Sequence, residues 1–318
     1  MKILITGGAG FIGSNLLHYL CDTHPNYHLI NYDKLTYAGN LENIRDLEKK
    51  PNYRFVKGDI IDRRRLEPLF ANGLDGVIHL AAESHVDRSI NNPDRFILTN
   101  VLGTQVLLSL ALKYNIPRFL QISTDEVYGS LGATDYFTEE TSLKPNSPYS
   151  ASKAAADLLV RAAYQTYRLP VIISRCSNNY GPYQFPEKLI PLMITNALDG
   201  KELPLYGDGL HIRDWIHVQD HCRAIDTIFH YGKPGEVYNV GANEEHSNLE
   251  IVKIILNQLC LTESLIKYVT DRPGHDRRYA MDAGKLRISL RWHPVFSFES
   301  GIKETIRWYV EHRSWWQN

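Results

Sequence analysis

Residues 122–129 read ISTDEVYG. One hydroxyl, Thr124, is followed directly by two carboxyl groups, Asp125 and Glu126. Neighbouring carboxylates repel, and burial makes each charge costlier. A strand end built for stability alone needs only one capping residue and a turn. Two carboxyls with separated pKa values suit acid–base work instead, one protonated and the other ionised. Further on, YSASK places Tyr149 and Lys153 four apart, on one face of a predicted helix. A nearby ammonium stabilises a tyrosinate and lowers the phenol's pKa. Such a tyrosine can take a proton from a hydroxyl as a hydride departs.

A hydride needs an acceptor, and the N-terminus supplies a place for one. GGAGFIG at 7–13 brings Gly7, Gly10 and Gly13 between a predicted strand and a predicted helix. The first glycine permits a tight turn, the second lets backbone approach a pyrophosphate, and the third allows close helix packing. The helix N-terminus offers free N–H groups to phosphates. Asp33 ends LINYD, where a carboxylate accepts from adenosine ribose hydroxyls and repels a 2′-phosphate. NAD is therefore expected rather than NADP. Asp59 in VKGDI reads equally as an adenine contact or a turn residue.

These groups need a frame. ILIT (3–6), GVIHLA (76–81) and RFLQIS (118–123) are short apolar runs bounded by Gly, Asp or Pro. They read as strands buried on both faces of a parallel sheet. Helical patterns lie between and after them at 12–21, 94–113 and 149–167. The second is expected to bury Phe96, Ile97, Val101, Leu108 and Ala111, and the third Ala154, Leu158, Val160 and Ala163. The alternation predicts an α/β fold, a doubly wound parallel sheet of Rossmann type. Beyond about residue 177, Pro182, Pro186, Pro191 and Pro204 punctuate longer loops, although GEVYNVG (235–241) still reads as a core strand. The expected division is a dinucleotide-binding domain of residues 1–177 plus roughly 213–241, and a smaller interleaved substrate domain of 178–212 and 242–318. Arg63, Arg64 and Arg65 read as a solvated helix face.

Composition is that of an ordinary globular protein: 318 residues, 43% hydrophobic, 22% charged, net charge −1. Near-neutrality argues against a nucleic-acid or anionic-membrane partner. Cys21, Cys176, Cys222 and Cys260 are scattered, as expected for reduced thiols in a reducing compartment. The N-terminus enters the glycine motif without an apolar leader, and no run reads as long and apolar enough to span a bilayer. A cytoplasmic protein is expected.

Glycine motif, strand-ending Ser123-Thr124 and YSASK together resemble the extended short-chain dehydrogenase/reductase family. Within it, TGGAGFIGSN, DKLTYAGNLEN, AAESHVDRSI, STDEVYGS, PNSPYSASKA, RCSNNYGPYQFPEKLIPL, IRDWIHVQDH and DRPGHDRRYAMD resemble the dehydratases that act on dTDP-glucose. The resemblance runs in order along nearly the whole chain. It implies a hydro-lyase of deoxysugar (such as rhamnose) biosynthesis that uses NAD. C4 of the sugar is oxidised, water is lost across C5 and C6, and the hydride returns to C6. It further implies that Tyr149 is the base for C4 oxidation, that Lys153 tunes it and holds the nicotinamide ribose, and that Thr124 bonds the C4 oxygen. Glu126 would remove the C5 proton and Asp125 protonate the leaving C6 hydroxyl.

By the same resemblance the cofactor meets Gly7, Gly10, Phe11, Ile12, Gly13, Asp33, Lys34, Leu35, Thr36, Asp59, Ile60, Leu80, Ala81, Ala82, Ser84, Thr99, Tyr149, Lys153 and Asn179. The nucleotide sugar meets Ser84, Arg88, Thr124, Asn178, Lys188, Leu189, Pro204, Leu205, Tyr206, Arg213, Asn248, Arg272 and His275. Arginines suit a diphosphate because their fork donates two hydrogen bonds. Taken singly, Arg213 or Arg272 reads equally as a salt-bridge partner. His217 and His221 have a spacing that zinc could use, but without further ligands nearby they read as packed histidines, and no metal is expected. The helices at 94–113 and 149–167 resemble the pair through which such enzymes dimerise, with Leu107, Leu110, Leu159 and Ala162 on their outer faces. The segment between Gly129 and Tyr149 is short beside longer family members.

Other readings compete. A C4 epimerase or a decarboxylase on the same scaffold needs Tyr149 and Lys153 but not the Asp125–Glu126 pair, and a UDP-sugar dehydratase differs only in the base it accepts. A non-catalytic NAD-binding sensor or scaffold should have lost one of these groups, and none is lost.

Overall fold

The computed structural model describes residues 1–317. Seven short strands form one parallel sheet: β1 (Lys2–Thr6), β2 (His28–Asp33), β3 (Tyr53–Lys57), β4 (Gly76–His79), β5 (Phe119–Thr124), β6 (Val171–Cys176) and, later in the chain, β10 (Val237–Val240). Their order is β10-β6-β5-β4-β1-β2-β3. β4, β5 and β6 are buried along their whole length. That is why their sequences are continuous apolar runs rather than alternating ones. Helices cover both faces. Phe11–Thr23 and Val218–Tyr231 pack on one, through Leu16, Leu17, Leu20, Cys222 and Ile225. Arg63–Ala71, Thr104–Lys113 and Pro148–Tyr167 pack on the other, through Leu66, Leu107, Leu110 and Val160. Arg63, Arg64 and Arg65 are exposed at the start of their helix.

β1 lies between β4 and β2, so the chain turns opposite ways on its two sides. That reversal opens a crevice at the carboxyl edge of the sheet, where ligands bind in open α/β folds. The GGAGFIG turn follows β1 and the Leu80–Ser84 stretch follows β4, so both meet in the crevice.

A second, smaller layer follows. β7 (Asn178–Tyr180), β9 (Ile212–His217) and β11 (Glu245–Ser247) form a mixed sheet in the order β11-β9-β7. β8 (Leu203–Tyr206) pairs in parallel with β12 (Ile266–Val269). Helices Leu189–Leu198, Asn248–Gln258 and Phe298–Glu311 enclose a separate core with Tyr180 and Trp215. The chain leaves the large sheet after β6 and rejoins it through Val218–Tyr231 and β10. It leaves again at β11.

Two expectations fail on helix phase. Ile97 and Leu158, expected inside, are 51% and 56% exposed. Leu107 and Leu110, expected outside, are fully buried. The helical stretch from Pro93 to Lys113 includes π-type turns at Ile97–Gly103. Wider turns rotate the faces away from a 3.6-residue count. In the Pro148–Tyr167 helix an inward position is taken by Asp157, paired with Arg175 at 2.9 Å, so apolarity alone points to the wrong face. The expectation of no span-length apolar run fails at the same place. Pro93–Lys113 has a span's length and a mean hydropathy of 1.5. Half of that window is buried against the protein, which makes it a core helix that is also apolar on its outer face.

Candidate active site

The crevice is a cavity of about 300 Å³ running from the glycine turn to the small layer. At one end, Gly7 has φ +77°, and a Cβ there would sit 2.7 Å from the Ala81 nitrogen. A Cβ on Gly13 would sit 2.2 Å from the Gly7 carbonyl oxygen. Only glycine allows this cradle, and helix Phe11–Thr23 starts immediately beyond it. Asp33 ends β2 in the crevice wall. Its carboxylate accepts from the Ala9 and Leu35 N–H groups at 2.9 and 2.8 Å. Burial raises its pKa and those two bonds oppose the rise. Asp59 is ion-paired to Lys34 at 2.6 Å beside the same wall. A small-residue cradle, a helix N-terminus and a fixed acid fit a dinucleotide.

At the other end, β5 delivers the octapeptide. Thr124 closes the strand and caps a 3₁₀ turn over Asp125–Tyr128. Gly129 ends the turn at φ +87°, where a Cβ would sit 2.3 Å from the Lys144 carbonyl oxygen. The turn makes neighbouring side chains diverge. Asp125 is only 2% exposed, and one of its oxygens, Oδ2, has no hydrogen-bond partner. Glu126 is less enclosed and reaches into the crevice. Burial pushes Asp125 well above the usual carboxylate range, and Glu126 adds to the rise. Burial also raises Glu126, but Arg272, Lys188 and Arg213 pull it back. Both acids are raised and Arg213 pulls on both, but Arg272 and Lys188 act on Glu126 while Glu126 and Asp214 push Asp125 further up.

Helix Pro148–Tyr167 brings the remaining groups. Ser147 and Ser150 form a reciprocal cap and Pro148 occupies the first turn, fixing where the helix begins. Tyr149 therefore faces the carboxyls, and Lys153 lies one turn on. Its ammonium donates to the Ile122 carbonyl oxygen at 2.6 Å. Burial, helped by Glu126, Cys176 and Asp125, pushes Tyr149 well above its usual pKa, while a hydrogen bond with Thr124 works the other way.

The crevice gathers most of the residues singled out from sequence. Gly7, Gly10, Phe11, Ile12, Gly13, Asp33, Lys34, Thr36, Asp59, Ile60, Leu80, Ala81, Ala82, Ser84, Thr99 and Asn179 line it with Tyr149 and Lys153. Thr124, Asp125, Glu126, Asn178 and Lys188 line the other end. Leu35 is not in the wall: at φ 56° it turns the chain and packs toward the core. Arg88, Leu189, Pro204, Leu205, Tyr206, Arg213, Asn248, Arg272 and His275 lie outside this cavity. Arg213 and Arg272 still act on Glu126. Arg272 and Tyr206 both reach Asp87, at 3.4 and 3.3 Å. His275 is held by Asp271 at 2.6 Å and stacks on His211. Leu205 is fully buried in the small core, so its side chain cannot touch a ligand. His217 and His221 are buried, and His221 pairs with Asn179 at 2.8 Å.

Sequence reading missed Glu83, Gln184 and Glu187 in the wall. Glu187 sits among Arg88, His85 and Tyr37, and Arg88 lies 3.5 Å over the Tyr37 ring. The signal lies in AAESH and QFPEKL, where Glu83 precedes Ser84 and Glu187 precedes Lys188.

The family described as GDP-mannose 4,6 dehydratase matches residues 4–305. The chain belongs to that family. It is 52% identical to the dTDP-glucose 4,6-dehydratase of Neisseria meningitidis serogroup B, covering all of this chain and 95% of the relative. Among solved structures it is similar to the Bacillus anthracis dTDP-glucose 4,6-dehydratase in complex with NAD, at 54% identity and TM-score 0.94 over all of this chain and 99% of that one. It is also similar to the Streptomyces venezuelae dTDP-glucose 4,6-dehydratase with NAD and TYD bound, at 48% identity and TM-score 0.96 over the same shares. The Neisseria alignment runs over 339 positions against 318 residues here, so this member of the family is the shorter chain.

Proposed function

We propose that the protein is an NAD-dependent dTDP-glucose 4,6-dehydratase, yielding dTDP-4-keto-6-deoxyglucose. The observation that carries the reading is the Asp125–Glu126 pair. Two adjacent acids share one strand end, yet one is buried without a partner on Oδ2 and the other faces three cationic side chains. A C4 epimerase has no use for that division. The family match and the full-length likeness to dTDP-glucose 4,6-dehydratases point the same way.

Bound NAD supplies a hydride acceptor for C4 and a hydride donor for C6. The glycine cradle and Asp33 hold it, and the Asp33 charge selects against a 2′-phosphate. Tyr149 takes the C4 hydroxyl proton, and Thr124 bonds the C4 oxygen. A tyrosinate here works against burial and two carboxyls, and Lys153, one turn on along the same helix face, supplies the opposing positive charge. Glu126, kept ionisable by Arg272, Lys188 and Arg213, takes the C5 proton. Asp125, kept protonated by burial, gives its proton to the C6 hydroxyl as it leaves. Arg213, Arg272 and Lys188 also offer the cationic rim that a nucleoside diphosphate needs.

A homodimer fits the outer helix faces. Ile97, Leu98 and Leu102 are exposed on one helix and Leu158 on the helix beside it. An apolar stripe across two adjacent helices suits a second copy. Light scattering at micromolar concentration should give twice the chain mass, and a monomer contradicts the assignment. A cytoplasmic setting fits the four unpaired cysteines. Turnover is tested by incubation with dTDP-glucose and NAD. A 4-keto product absorbing in alkali supports dehydration, and dTDP-galactose in its place refutes it.

A further inference from the structure

The helix that follows the glycine cradle and the helix that leads back to the large sheet meet at three side chains of metal-ligand type. His24 caps the C-terminal end of Phe11–Thr23. Asp226 and His230 stand four apart on Val218–Tyr231, hence on one face. His24 and Asp226 are 202 residues apart, so no local spacing announces the group. His24 Nε2 lies 3.0 and 3.1 Å from the two carboxylate oxygens of Asp226. His230 Nδ1 lies 3.0 Å from Oδ1 of the same carboxylate. The three ligand atoms all fall within 4.8 Å of one another. The cluster stands outside the crevice and takes no part in the chemistry above.

Two imidazoles and one carboxylate suit a zinc ion that keeps its fourth position for water. With bonds of about 2.0–2.1 Å, ligand atoms on a tetrahedral zinc stand about 3.3 Å apart. The nitrogen–oxygen spacings here fall short of that by roughly 0.3 Å, so a small opening admits the ion. The ring positions also fit. Each imidazole centroid on such a zinc lies about 3.2 Å from the metal, which puts two centroids about 5 Å apart. The His24 and His230 centroids are 5.1 Å apart. His211 and His275, which share Asp271, are stacked at 3.7 Å and 13°, too close and too parallel to converge on one ion.

His230 Nδ1 also bonds the Asp226 backbone oxygen at 2.8 Å, a contact that the metal would replace. Its other nitrogen, Nε2, meets the Tyr27 hydroxyl at 2.7 Å. That hydroxyl can accept from Nε2–H, which leaves Nδ1 free of its proton for a metal. The Tyr27 ring stacks on His24 at 4.4 Å, so one residue steadies both imidazoles.

We propose that His24, Asp226 and His230 form a zinc site, with water as the fourth ligand, that ties the end of the Phe11–Thr23 helix to Val218–Tyr231. The protons that His24 Nε2 and His230 Nδ1 now donate to the carboxylate leave these nitrogens as the metal binds.

The test is equilibrium dialysis of Zn²⁺ against the full chain, without an affinity tag and first stripped by a chelator. Wild type should take up one equivalent at micromolar Zn²⁺, and its Tm should rise with the metal. Y27F should weaken uptake by about tenfold, and H24Q, D226N and H230Q by more. H211Q, in the stacked cluster, should leave it unchanged. Co²⁺ in wild type should show the visible bands of a four-coordinate ion, and H24Q should lose them. A stripped wild type that takes up no Zn²⁺ overturns the site. So does an equivalent that survives both H24Q and H230Q, or one that disappears in H211Q. The wild-type dialysis and the Co²⁺ spectrum need no variant, so a variant that folds poorly does not shelter the proposal. None of these readouts depends on turnover of dTDP-glucose.

Discussion

Arg175 tests how the fold holds the acid pair. Its Nε donates to Asp157 Oδ2 at 2.9 Å, with the two side chains 7% and 1% exposed. Its guanidinium also donates to the Tyr128 hydroxyl at 2.9 Å, and Tyr128 donates to Asn239 Oδ1 at 2.8 Å. Tyr128 is the last residue of the turn that begins with Asp125 and Glu126. Replacing Arg175 with Met leaves Asp157 as a buried, unpaired carboxylate, and breaking one partner of a buried pair costs about 3–5 kcal/mol. At about 2 °C per kcal/mol for a chain this long, Tm should fall by roughly 6–10 °C. D157L/R175M removes both charges and should recover most of the loss, because a buried ion pair and an apolar pair are of similar worth. Denaturant melts of the two singles and the double give the coupling directly. If R175M costs less than about 1 kcal/mol, or the double mutant is as unstable as the sum of the singles, the ion pair is not what fixes the turn.

Three further outcomes follow from the same geometry. Glu126→Gln should lower kcat by about 10²–10⁴-fold and abolish exchange of the C5 proton with solvent deuterium, read by NMR, while C4 oxidation to bound NADH persists. Activity should be bell-shaped in pH: Glu126 must be ionised and its pKa is raised, so the acid limb lies above that of an ordinary glutamate. Asp125 must be protonated and its pKa is raised further, so activity falls as pH climbs through that value. Asp214 is fully buried with its pKa pushed up to about 7. Between its ordinary value and about 7 the folded state holds a proton that the unfolded state has lost, so its contribution to stability falls as pH rises. Asp214→Asn should therefore be more stable than wild type at pH 8, by up to about 4 kcal/mol, with little difference at pH 4 in thermal melts.

The cradle, the strand ends and the Tyr149–Lys153 helix were legible because each depends on local residue types: glycine where a Cβ clashes, short apolar strands, and a capped helix start. Helix phase was not, because the π-type turns at Ile97–Gly103 and the buried Asp157 break the apolar count. The separation of Asp125 from Glu126 was legible as a requirement but not as a geometry. It depends on Arg272 and Lys188, which act on Glu126 and which the chain brings back from far along the sequence. Leu205 shows the converse. It stands in a segment that resembles a ligand contact, and its side chain belongs to the small core.

The central claim is that one hydride leaves C4 and returns to C6 while Asp125 and Glu126 divide an elimination. dTDP-glucose carrying deuterium at C4 tests this most directly. Mass spectrometry and NMR of the product should find the label at C6 of a 4-keto-6-deoxy sugar. Label returned to C4 of an intact hexose, with the C6 hydroxyl still in place, would contradict it.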